Sequence, residues 1–387
     1  MVGLNMKENH DAADRSLPAT FEGRDVIQLG QIRVRLIYFD SMGAKCSSVM
    51  VKTPDVSILV DPGAAGLQPS FPLSSEERIS FCMKAYGRIR RFSSEADLII
   101  ITHYHYDHHP HPDRLNRMYA VFRDKTLLVK DPNQWINRAQ SRRAFDFLRS
   151  LYQNFEGTRD FRDLLVAPHF TMKEDPFTSH PSTTALWRRS RGKKRMVFQA
   201  KQKWFDRIVE KWRESRWIPD FEVGGTKVLF ADGKDFTFGQ TRLRFSPPMF
   251  HGQFLDNIGW VVGFTLEYGN SRFLFTSDLQ GPIIEEYADW IVQACPDVIV
   301  ADGPPLYAYG FMIGRTDIDR VVKNISNIMS KVQPKEIIWD HHLCRGPFRS
   351  RLKKVYSYAE EVGVRLCTAA EHMGHKPLIE QLEVRNS

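Results

Sequence analysis

Eight consecutive residues, Thr102–His109, contain four histidines and one aspartate in the order Thr-His-Tyr-His-Tyr-Asp-His-His. They directly follow the apolar run Leu98–Ile101, which predicts a buried strand, so the cluster lies where that strand leaves its sheet. Residues two apart in extended backbone point the same way. His103 and His105 can therefore bind one ion.

Asp107 and His108 lie beyond the bend, and we predict that they turn toward a second ion. Imidazole and carboxylate ligands suit zinc, with manganese or iron as the alternatives. The competing interpretation is a histidine-rich surface loop that binds nothing. Five such side chains crowded at the exit of a buried strand would repel each other once protonated and gain nothing from packing, which favours the metal site.

The spacing His-x-His-x-Asp-His from His103 to His108 resembles the signature of the metallo-β-lactamase-fold superfamily. Four further segments resemble the other motifs of that family, in the family's order and each at the end of a predicted strand. They are Ser57–Gly63, Phe245–Gly252, Arg272–Asp278 and Glu336–His342. The resemblance implies an α/β fold in four layers, an αββα sandwich with two sheets face to face, helices outside and the metals at one open edge.

The resemblance also implies a pair of divalent ions, most simply Zn²⁺, with Mn²⁺ or Fe²⁺ as alternatives. The expected ligands are His103, His105, Asp107, His108, His251, Asp278 and His341. His251 would complete the first ion's shell, Asp278 would bridge both ions, and His342 is the alternative to His341. Asp61 is expected to orient ligand histidines rather than to bind metal.

Two such ions would make hydroxide available at neutral pH, and this hydroxide would attack a phosphoryl or carbonyl group. Asp107 and Asp278 would hold it in position, with His251 and Asp61 as the remaining residues of the expected catalytic set. Redox di-iron relatives carry a carboxylate where this chain has His105, so the resemblance favours hydrolysis over oxygen chemistry.

A closer resemblance links the chain, from roughly Ile32 to Arg351, to an uncharacterised archaeal-type branch of the superfamily. It rests on the histidine-rich octapeptide and on Lys130–Pro132, Ile136, Asn137, Gln140, Arg143, Ala144, Ser277–Gln280, Gly303–Pro305, Tyr307 and Asp340–His342. That branch brings no substrate with it. The chain departs from it by about seventy extra residues near Phe155 to Glu222.

The composition, with 387 residues of which 42% are hydrophobic and 26% charged, fits one large core with an insertion or two modest domains. We predict a flexible leader over residues 1–30, then one domain over 31–387 with a helical basic insertion at about 112–225. No run approaches about eighteen apolar residues, which argues against a membrane span. The five cysteines lack a Cys-x-x-Cys pair, which favours reduced thiols and a cytoplasmic enzyme.

Alternation and short apolar runs predict strands, and helical spacing of apolar residues predicts helices. The predicted strands are Ile32–Tyr38, Ser47–Lys52, Val56–Val60, Leu98–Ile101, Thr126–Val129, Lys227–Phe230, Arg242–Phe245, Val261–Tyr268, Arg272–Thr276, Val298–Ala301 and Glu336–Trp339. The predicted helices are Ser75–Arg91, Pro282–Cys295 and Asp317–Val332.

The segment Trp187–Arg216 has twelve Lys or Arg and three acidic residues, a net charge of +9 against +8 for the whole chain. Basic charge interleaved with aromatic rings is typical of surfaces that hold single-stranded nucleic acid. The alternative is packing, because Trp204, Phe205, Ile208, Val209 and Trp212 follow the rhythm of one helical face. Upstream of that helix, residues 188–195 are predicted to form a basic loop.

Asn137, Arg143 and His109 are the predicted substrate contacts. Together with the basic excess they favour an anionic substrate and a phosphoester, first of all a phosphodiester, with single-stranded RNA or DNA as its specific form. The rival enzyme hydrolyses a lactone, carboxylic ester, thioester or β-lactam, since the superfamily cuts all of these with a similar site. A third interpretation is a protein that binds nucleic acid without cutting it.

Overall fold

The computed structural model describes residues 24–155, 160–172, 181–254 and 256–386. Its strands are β1 Val26–Leu29, β2 Ile32–Phe39, β3 Ser47–Lys52, β4 Ser57–Val60, β5 Leu98–Ile101, β6 Thr126–Val129, β7 Phe221–Val223, β8 Thr226–Phe230, β9 Asp235–Phe238, β10 Thr241–Phe245, β11 Met249–Phe250, β12 Trp260–Val261, β13 Phe264–Tyr268, β14 Ser271–Phe275, β15 Val298–Ala301, β16 Glu336–Trp339 and β17 Arg365–Cys367.

The helices are α1 Ser75–Ser93, α2 Pro112–Leu115, α3 Tyr119–Phe122, α4 Arg138–Phe155, α5 Pro181–Arg189, α6 Gly192–Glu214, α7 Glu285–Ala294, α8 Arg315–Val332, α9 Arg349–Glu361, α10 Ala369–His372 and α11 Leu378–Asn386. Short 3-10 turns lie at Asp40–Met42, Phe161–Leu164, Leu306–Ala308 and Leu343–Arg345. Among the described residues, no helix is both long and apolar enough to cross a bilayer.

Most strands form two large sheets that share one continuous hydrophobic core, and β11 pairs with β12 in a separate two-stranded sheet. The first sheet has the order β1-β2-β3-β4-β5-β6-β8-β7, and the second has the order β17-β16-β15-β14-β13-β10-β9. Helix α1 packs on β2 of the first sheet and α9 packs on β17 of the second. This is the predicted αββα sandwich, and the fold class expected from the sequence is confirmed.

Parallel strands at the centre of both sheets explain where polar side chains gather. Strands β4, β5 and β6 are parallel neighbours in the first sheet, as are β14, β15 and β16 in the second. The carboxyl ends of parallel strands meet at one edge of a sheet. Residues that follow β4 and β5 therefore face those that follow β14, β15 and β16 across one end of the sandwich.

The leader predicted over residues 1–30 lies outside the described residues as far as residue 23, and residues 24–30 are structured. Val26–Leu29 is a strand that pairs antiparallel with β2. Asp25 is buried and lies 2.8 Å from the Arg35 guanidinium and 3.2 Å from that of Arg88. The prediction of a flexible segment is wrong for residues 24–30, because their alternating apolar side chains complete the sheet edge.

The predicted helical insertion at about 112–225 is not helical throughout. Its strand β6 lies between β5 and β8 within the first sheet, and β7 forms the edge of that sheet. The basic helical part is confined to α5 and α6. The predicted basic loop over 188–195 is also wrong, since α5 ends at Arg189 and α6 begins at Gly192.

The single strand predicted over Val261–Tyr268 is broken into β12 and β13. Between them, the Val262 amide donates to the carbonyl of Thr102, and the Gly263 amide donates to the Ser246 hydroxyl. A Cβ atom at Gly263 would lie 2.8 Å from the Trp290 ring, so only glycine fits there without a shift. The break ties the second sheet to the start of the histidine-rich segment.

Candidate metal centre

The histidine-rich segment is fixed to the first sheet through Asp61, the residue after β4. One Asp61 carboxylate oxygen accepts from the Thr102 amide at 2.8 Å, and the other accepts from the Thr102 hydroxyl at 2.7 Å. The second oxygen also lies 2.8 Å from His108 Nδ1. Asp61 is fully buried and thus holds the start of the segment and one of its imidazoles, as expected of a residue that orients ligands.

The first ligand cluster consists of His103, His105, His251 and Asp278, whose candidate ligand atoms all lie within 4.8 Å of one another. His103 Nε2 is 3.1 Å from His105 Nδ1 and 3.4 Å from Asp278 Oδ2. His251 Nε2 is 3.0 Å from the same Asp278 oxygen. The pair His103 and His105 therefore converges with His251, which follows β11 of the separate β11-β12 pair, and with Asp278, which follows β14 of the second sheet.

The second ligand cluster consists of Asp107, His108 and His341. His108 Nε2 lies 3.3 Å from His341 Nε2, and His341 Nε2 lies 3.6 Å from Asp107 Oδ2. Asp278 Oδ1 is 3.3 Å from His108 Nε2, while Oδ2 is 3.0 Å from His251 Nε2 of the first cluster and 3.6 Å from His341 Nε2 of the second. The Asp278 carboxylate thus stands between the two clusters, the place of a bridging ligand.

The chemistry of these donor atoms fits divalent metal ions. His251 Nε2 and both Asp278 carboxylate oxygens are buried without a hydrogen-bond partner among the described residues. Leaving a buried polar atom unpaired costs about 1–3 kcal/mol, more for a charged one, so three such atoms within the two clusters call for a ligand. Imidazole nitrogen and carboxylate oxygen are donors that suit zinc, manganese or iron.

His341 and His342, the two histidines after β16, both reach the candidate metal centre but contact different residues there. His342 Nδ1 lies 2.9 Å from Asp302 Oδ1, and its Nε2 is 3.9 Å from Asp278 Oδ2. His341 Nε2 lies 3.6 Å from the same Asp278 oxygen and groups with Asp107 and His108, whereas His342 groups with Asp278 and His341 only. Asp302 follows β15 directly and was not singled out in the sequence, although a strand ending in aspartate is the same signal that identified Asp61.

Behind the second cluster lie two further residues that sequence reasoning missed, Asp40 and Arg345. Asp40 follows β2, and its Oδ1 lies 2.8 Å from His341 Nδ1. The buried Arg345 guanidinium donates through Nε to Asp40 Oδ2 at 2.5 Å and through Nη2 to Asp107 Oδ2 at 2.9 Å. The same Nη2 lies 3.1 Å from His341 Nε2. Arg345 therefore links the carboxylate behind one ligand to the carboxylate of another.

In the first cluster, burial lowers the pKa of both His103 and His105 well below the usual histidine value, and neighbouring histidines lower it further. Both imidazoles are therefore neutral at pH 7 in the metal-free chain. A neutral imidazole offers its lone pair without first losing a proton. The first cluster is ready to bind an ion at neutral pH.

In the second cluster the histidine pKa values are shifted in the opposite direction. Burial lowers the pKa of His108, but the carboxylates of Asp278 and Asp61 outweigh it and raise that pKa to about 10. Burial likewise lowers the pKa of His341, which Asp40 and Asp278 raise well above the usual histidine value. Both imidazoles are therefore in the positively charged form, with a proton on each ring nitrogen, at pH 7 in the metal-free chain. An ion that binds here must displace one proton from each ring that binds it.

Asn137, a predicted substrate contact, has its side chain engaged within the protein. Its Nδ2 donates to the carbonyls of Asn257 at 2.7 Å and Ile258 at 2.6 Å, and its Oδ1 accepts from the Gln140 amide at 2.8 Å. The contact with Gln140 caps the start of α4. Asn137 therefore holds a loop in place, and a direct contact with substrate is not supported.

Arg143 and His109, the other two predicted substrate contacts, also pack against the protein. The Arg143 guanidinium lies 4.7 Å from the centre of the Tyr106 ring. His109 is buried among the rings of Tyr104, Tyr106 and Phe147 at centroid distances of 5.2–5.7 Å. Burial lowers the pKa of His109 to about 3. Such a neutral, enclosed imidazole does not line an opening, and a direct contact of His109 with substrate is not supported.

Gln140, which entered the sequence analysis only through the family resemblance, joins the histidine-rich segment after β5 to the loop before β12. Its Oε1 accepts from the Tyr104 amide at 3.2 Å, and its Nε2 donates to the Ile258 carbonyl at 2.9 Å. The next residue, Gly259, accepts through its carbonyl from the His251 amide at 3.0 Å. The segment of His103 and His105 is thereby held at a fixed distance from the loop of His251.

Comparison with known proteins agrees with this geometry. Residues 43–108 match the family model described as the metallo-β-lactamase superfamily. The matched part includes Asp61 and the whole run from His103 to His108. Together with the two sheets and the two ligand clusters, this match identifies the chain as a protein with the metallo-β-lactamase fold.

The chain belongs to the UPF0282 family. It is 30% identical to the UPF0282 protein of Methanopyrus kandleri over 352 residues, which cover 89% of this chain and 94% of the relative. It is 29% identical to the UPF0282 protein of Korarchaeum cryptofilum, covering 92% of this chain and 93% of that one. The archaeal branch expected from the sequence is confirmed.

The solved structures to which the chain is similar are more distant in sequence. The metallo-β-lactamase fold protein YhfI from Bacillus subtilis is 12% identical with a TM-score of 0.42, covering 87% of this chain and 95% of YhfI. The short form of human tRNase Z is 12% identical with a TM-score of 0.37, covering 78% of this chain and 90% of that protein.

Proposed function

We propose that the protein is a dinuclear-metal hydrolase whose substrate is a phosphoester, most simply a phosphodiester. The observation that carries the proposal is the position of Asp278, whose two buried carboxylate oxygens lack hydrogen-bond partners among the described residues and lie between histidines of both ligand clusters. When bound, two ions would lower the pKa of a water molecule to about 7 and polarise the oxygen of the bond to be cut.

Each cluster of residues would hold one of the two ions. His103, His105 and His251 would hold one ion, and Asp107 with the two imidazoles of the second cluster would hold the other. Zinc is the ion we favour for both, since nitrogen donors predominate.

Asp61 and Asp40 fix the Nδ1 side of His108 and His341, so that Nε2 of each ring points to the centre. Arg345 keeps the Asp107 carboxylate turned the same way. These contacts preset the ligand geometry before any ion arrives, which lowers the reorganisation needed for catalysis.

Charge supports an anionic substrate. The basic excess of the sequence is concentrated in α5 and α6, and a positive surface near a catalytic edge raises the local concentration of anions. A lactone or a neutral ester would gain nothing from it. The phosphoester proposal therefore accounts for a feature that a carboxylic ester hydrolase leaves without use.

The test is metal analysis coupled to a substrate panel. Zinc- or manganese-loaded protein is assayed with bis-nitrophenyl phosphate, nitrophenyl acetate and a simple lactone, before and after treatment with a chelator. We expect the phosphodiester to be turned over most efficiently, and the chelator or His103→Ala to abolish this. His169→Ala is the matched control, because His169 packs on Trp217 outside both clusters. Preferred turnover of the acetate or lactone would contradict the phosphoester proposal.

A further inference from the structure

A groove of about 730 Å³ lies between the start of α4, the outer side of α6 and the loop around Asn257. Four of its lining residues are basic, namely Arg138, Arg207, Lys211 and Arg216. No Asp or Glu lines it among the residues that the structure describes. An opening of this size with charge of one sign is suited to an anionic chain rather than to a neutral ligand.

The arginine charges of the groove are not neutralised by partners in the described part of the chain. Arg207 donates through Nε to the carbonyl of Lys203, and Arg216 donates to the carbonyl of Leu165, both neutral acceptors. Arg138 has no ion-pair partner among the described residues. Lys211 differs, since it pairs with Glu214 at 3.0 Å. Three guanidinium groups are therefore available to bind phosphates.

One wall of the groove offers an aromatic surface. Most apolar residues of α6 pack inward, and Phe205, Val209 and Trp212 belong to a second buried cluster, as the packing interpretation of the sequence predicted. Trp204 is only half-buried and lines the groove. Its ring stacks on that of Trp260 with an interplanar angle of 6° and a centroid distance of 5.9 Å. A half-buried ring already fixed by stacking can receive an unpaired base at little cost in entropy.

The groove is joined to the metal centre by one short loop. Asn137 and Asn257 both line the groove, and the Asn137 side chain donates to the carbonyls of Asn257 and Ile258. The carbonyl of Gly259 accepts from the amide of His251, a member of the first ligand cluster. The loop 256–259 therefore has the groove on one side and a candidate metal ligand on the other.

We propose that this groove binds single-stranded nucleic acid and leads it toward the metal centre. The inference rests on the proposed function in naming the substrate class of the same site. Backbone phosphates would contact the arginines and one base would stack on Trp204. A duplex keeps its bases paired and stacked inside, so it cannot use the tryptophan.

Binding is tested on the full chain in the presence of a chelator, so that neither cutting nor metal content affects the result. The probe is a fluorescein-labelled 20-nucleotide oligouridylate, followed by anisotropy across a range of salt concentrations. The test variant replaces Arg138, Arg207 and Arg216 by Gln. The control variant replaces Arg117, Arg242 and Arg315 by Gln, which removes the same charge from exposed positions elsewhere.

We expect the groove variant to bind at least about tenfold more weakly, and the slope of log affinity against log salt to fall by roughly 2 units for three lost phosphate contacts. The control variant should retain the wild-type slope. Trp204→Leu should weaken binding by about tenfold while Trp204→Phe largely retains it, with thermal melting as the check on folding.

Equal affinity of the groove and control variants, or equal affinity of the wild type for a 20-base-pair duplex, would overturn the groove proposal. Failure of the proposed function shows separately, as absent turnover of bis-nitrophenyl phosphate by metal-loaded wild type. If binding depends on the groove but such turnover is absent, the groove proposal remains supported. The protein would then be one that holds nucleic acid without cutting it.

Discussion

The two ligand clusters differ in what lies behind their imidazoles. In the second cluster, His108 and His341 each have a buried carboxylate 2.8 Å from Nδ1. In the first cluster the contacts are neutral and longer: the hydroxyls of Thr102 and Ser277 lie 3.3 Å from His103 Nδ1. His251 has the Gln280 amide at 3.4 Å.

The single motif from His103 to His108 therefore contributes ligands to two sites of unlike character. A carboxylate behind an imidazole fixes the tautomer and makes the ring more basic. The carboxylate makes the imidazole a stronger ligand, but the more basic ring also binds a proton that competes with the metal ion. The second cluster should therefore bind its ion with strong dependence on pH, and the first cluster with little.

The largest expected effect comes from the residue that the clusters share. Asp278→Asn should reduce bound metal at both clusters and lower phosphodiester turnover by more than about 100-fold, beyond what the loss of an outer contact costs. Metal content by atomic absorption and steady-state kinetics measure this. Asp289→Asn, an exposed aspartate on α7, is the matched control. Loss of only one ion would show that Asp278 does not bridge.

The difference between the two clusters is also tested by the pH dependence of metal binding. Because the pKa of His108 is about 10 and that of His341 is also raised, both rings are protonated at pH 7 in the metal-free chain. Raising the pH from 7 to 8 should strengthen the second ion's affinity by about 10- to 100-fold, one power of ten for each proton displaced. The first ion's affinity should hardly change, since His103 and His105 are already neutral.

Metal titration with proton release followed in parallel measures both ions in one experiment. The first equivalent should release almost no proton at pH 7, and the second should release one or two. Equal proton release by both equivalents would break the distinction between the clusters.

A smaller effect is expected when one supporting carboxylate is neutralised. Asp40→Asn weakens the hold on His341 and on Arg345, so the second ion's affinity should fall by roughly 10-fold, the lower end for outer-shell contacts. The first ion's affinity serves as the internal control, and Asp319→Asn on the surface of α8 as the external one. An equal loss at both ions would mean that Asp40 acts on the fold rather than on one cluster.

The smallest effect concerns the link that Gln140 makes between the histidine-rich segment and the loop 256–259. Gln140→Ala removes the hydrogen bonds to the Tyr104 amide and the Ile258 carbonyl. The carbonyl keeps Asn137 Nδ2 as a donor, whereas the buried Tyr104 amide is left unpaired. The free energy of unfolding should fall by about 1–3 kcal/mol in denaturant titration. Gln202→Ala on α6 is the control and should have little effect. An unchanged stability for Gln140→Ala would remove the role given to this link.

The ligands themselves could be predicted from sequence because they sit in short motifs at the ends of recognisable strands. His103 to His108 lie within six consecutive residues, and Asp278 follows a strand of apolar residues. Local pattern suffices for such positions. The strands that carry them were predicted for the same reason, since their alternation or apolar runs are local too.

The supporting residues could not be predicted in this way. Asp40 and Arg345 are 305 residues apart, and only the packing of the two sheets brings them together. Asn137 and Arg143 carry the polar groups expected of a substrate contact, yet the fold turns them to a loop carbonyl and a tyrosine ring. Local pattern states which side chains have suitable chemistry, and tertiary packing decides which of them stay available.

The most direct test is a crystal structure of the protein grown with excess zinc, with anomalous scattering recorded at the zinc edge. We predict two ions per chain, one among His103, His105 and His251 and the other among Asp107, His108 and His341, with the Asp278 carboxylate between them. Diffraction that shows no zinc at either cluster would contradict the account.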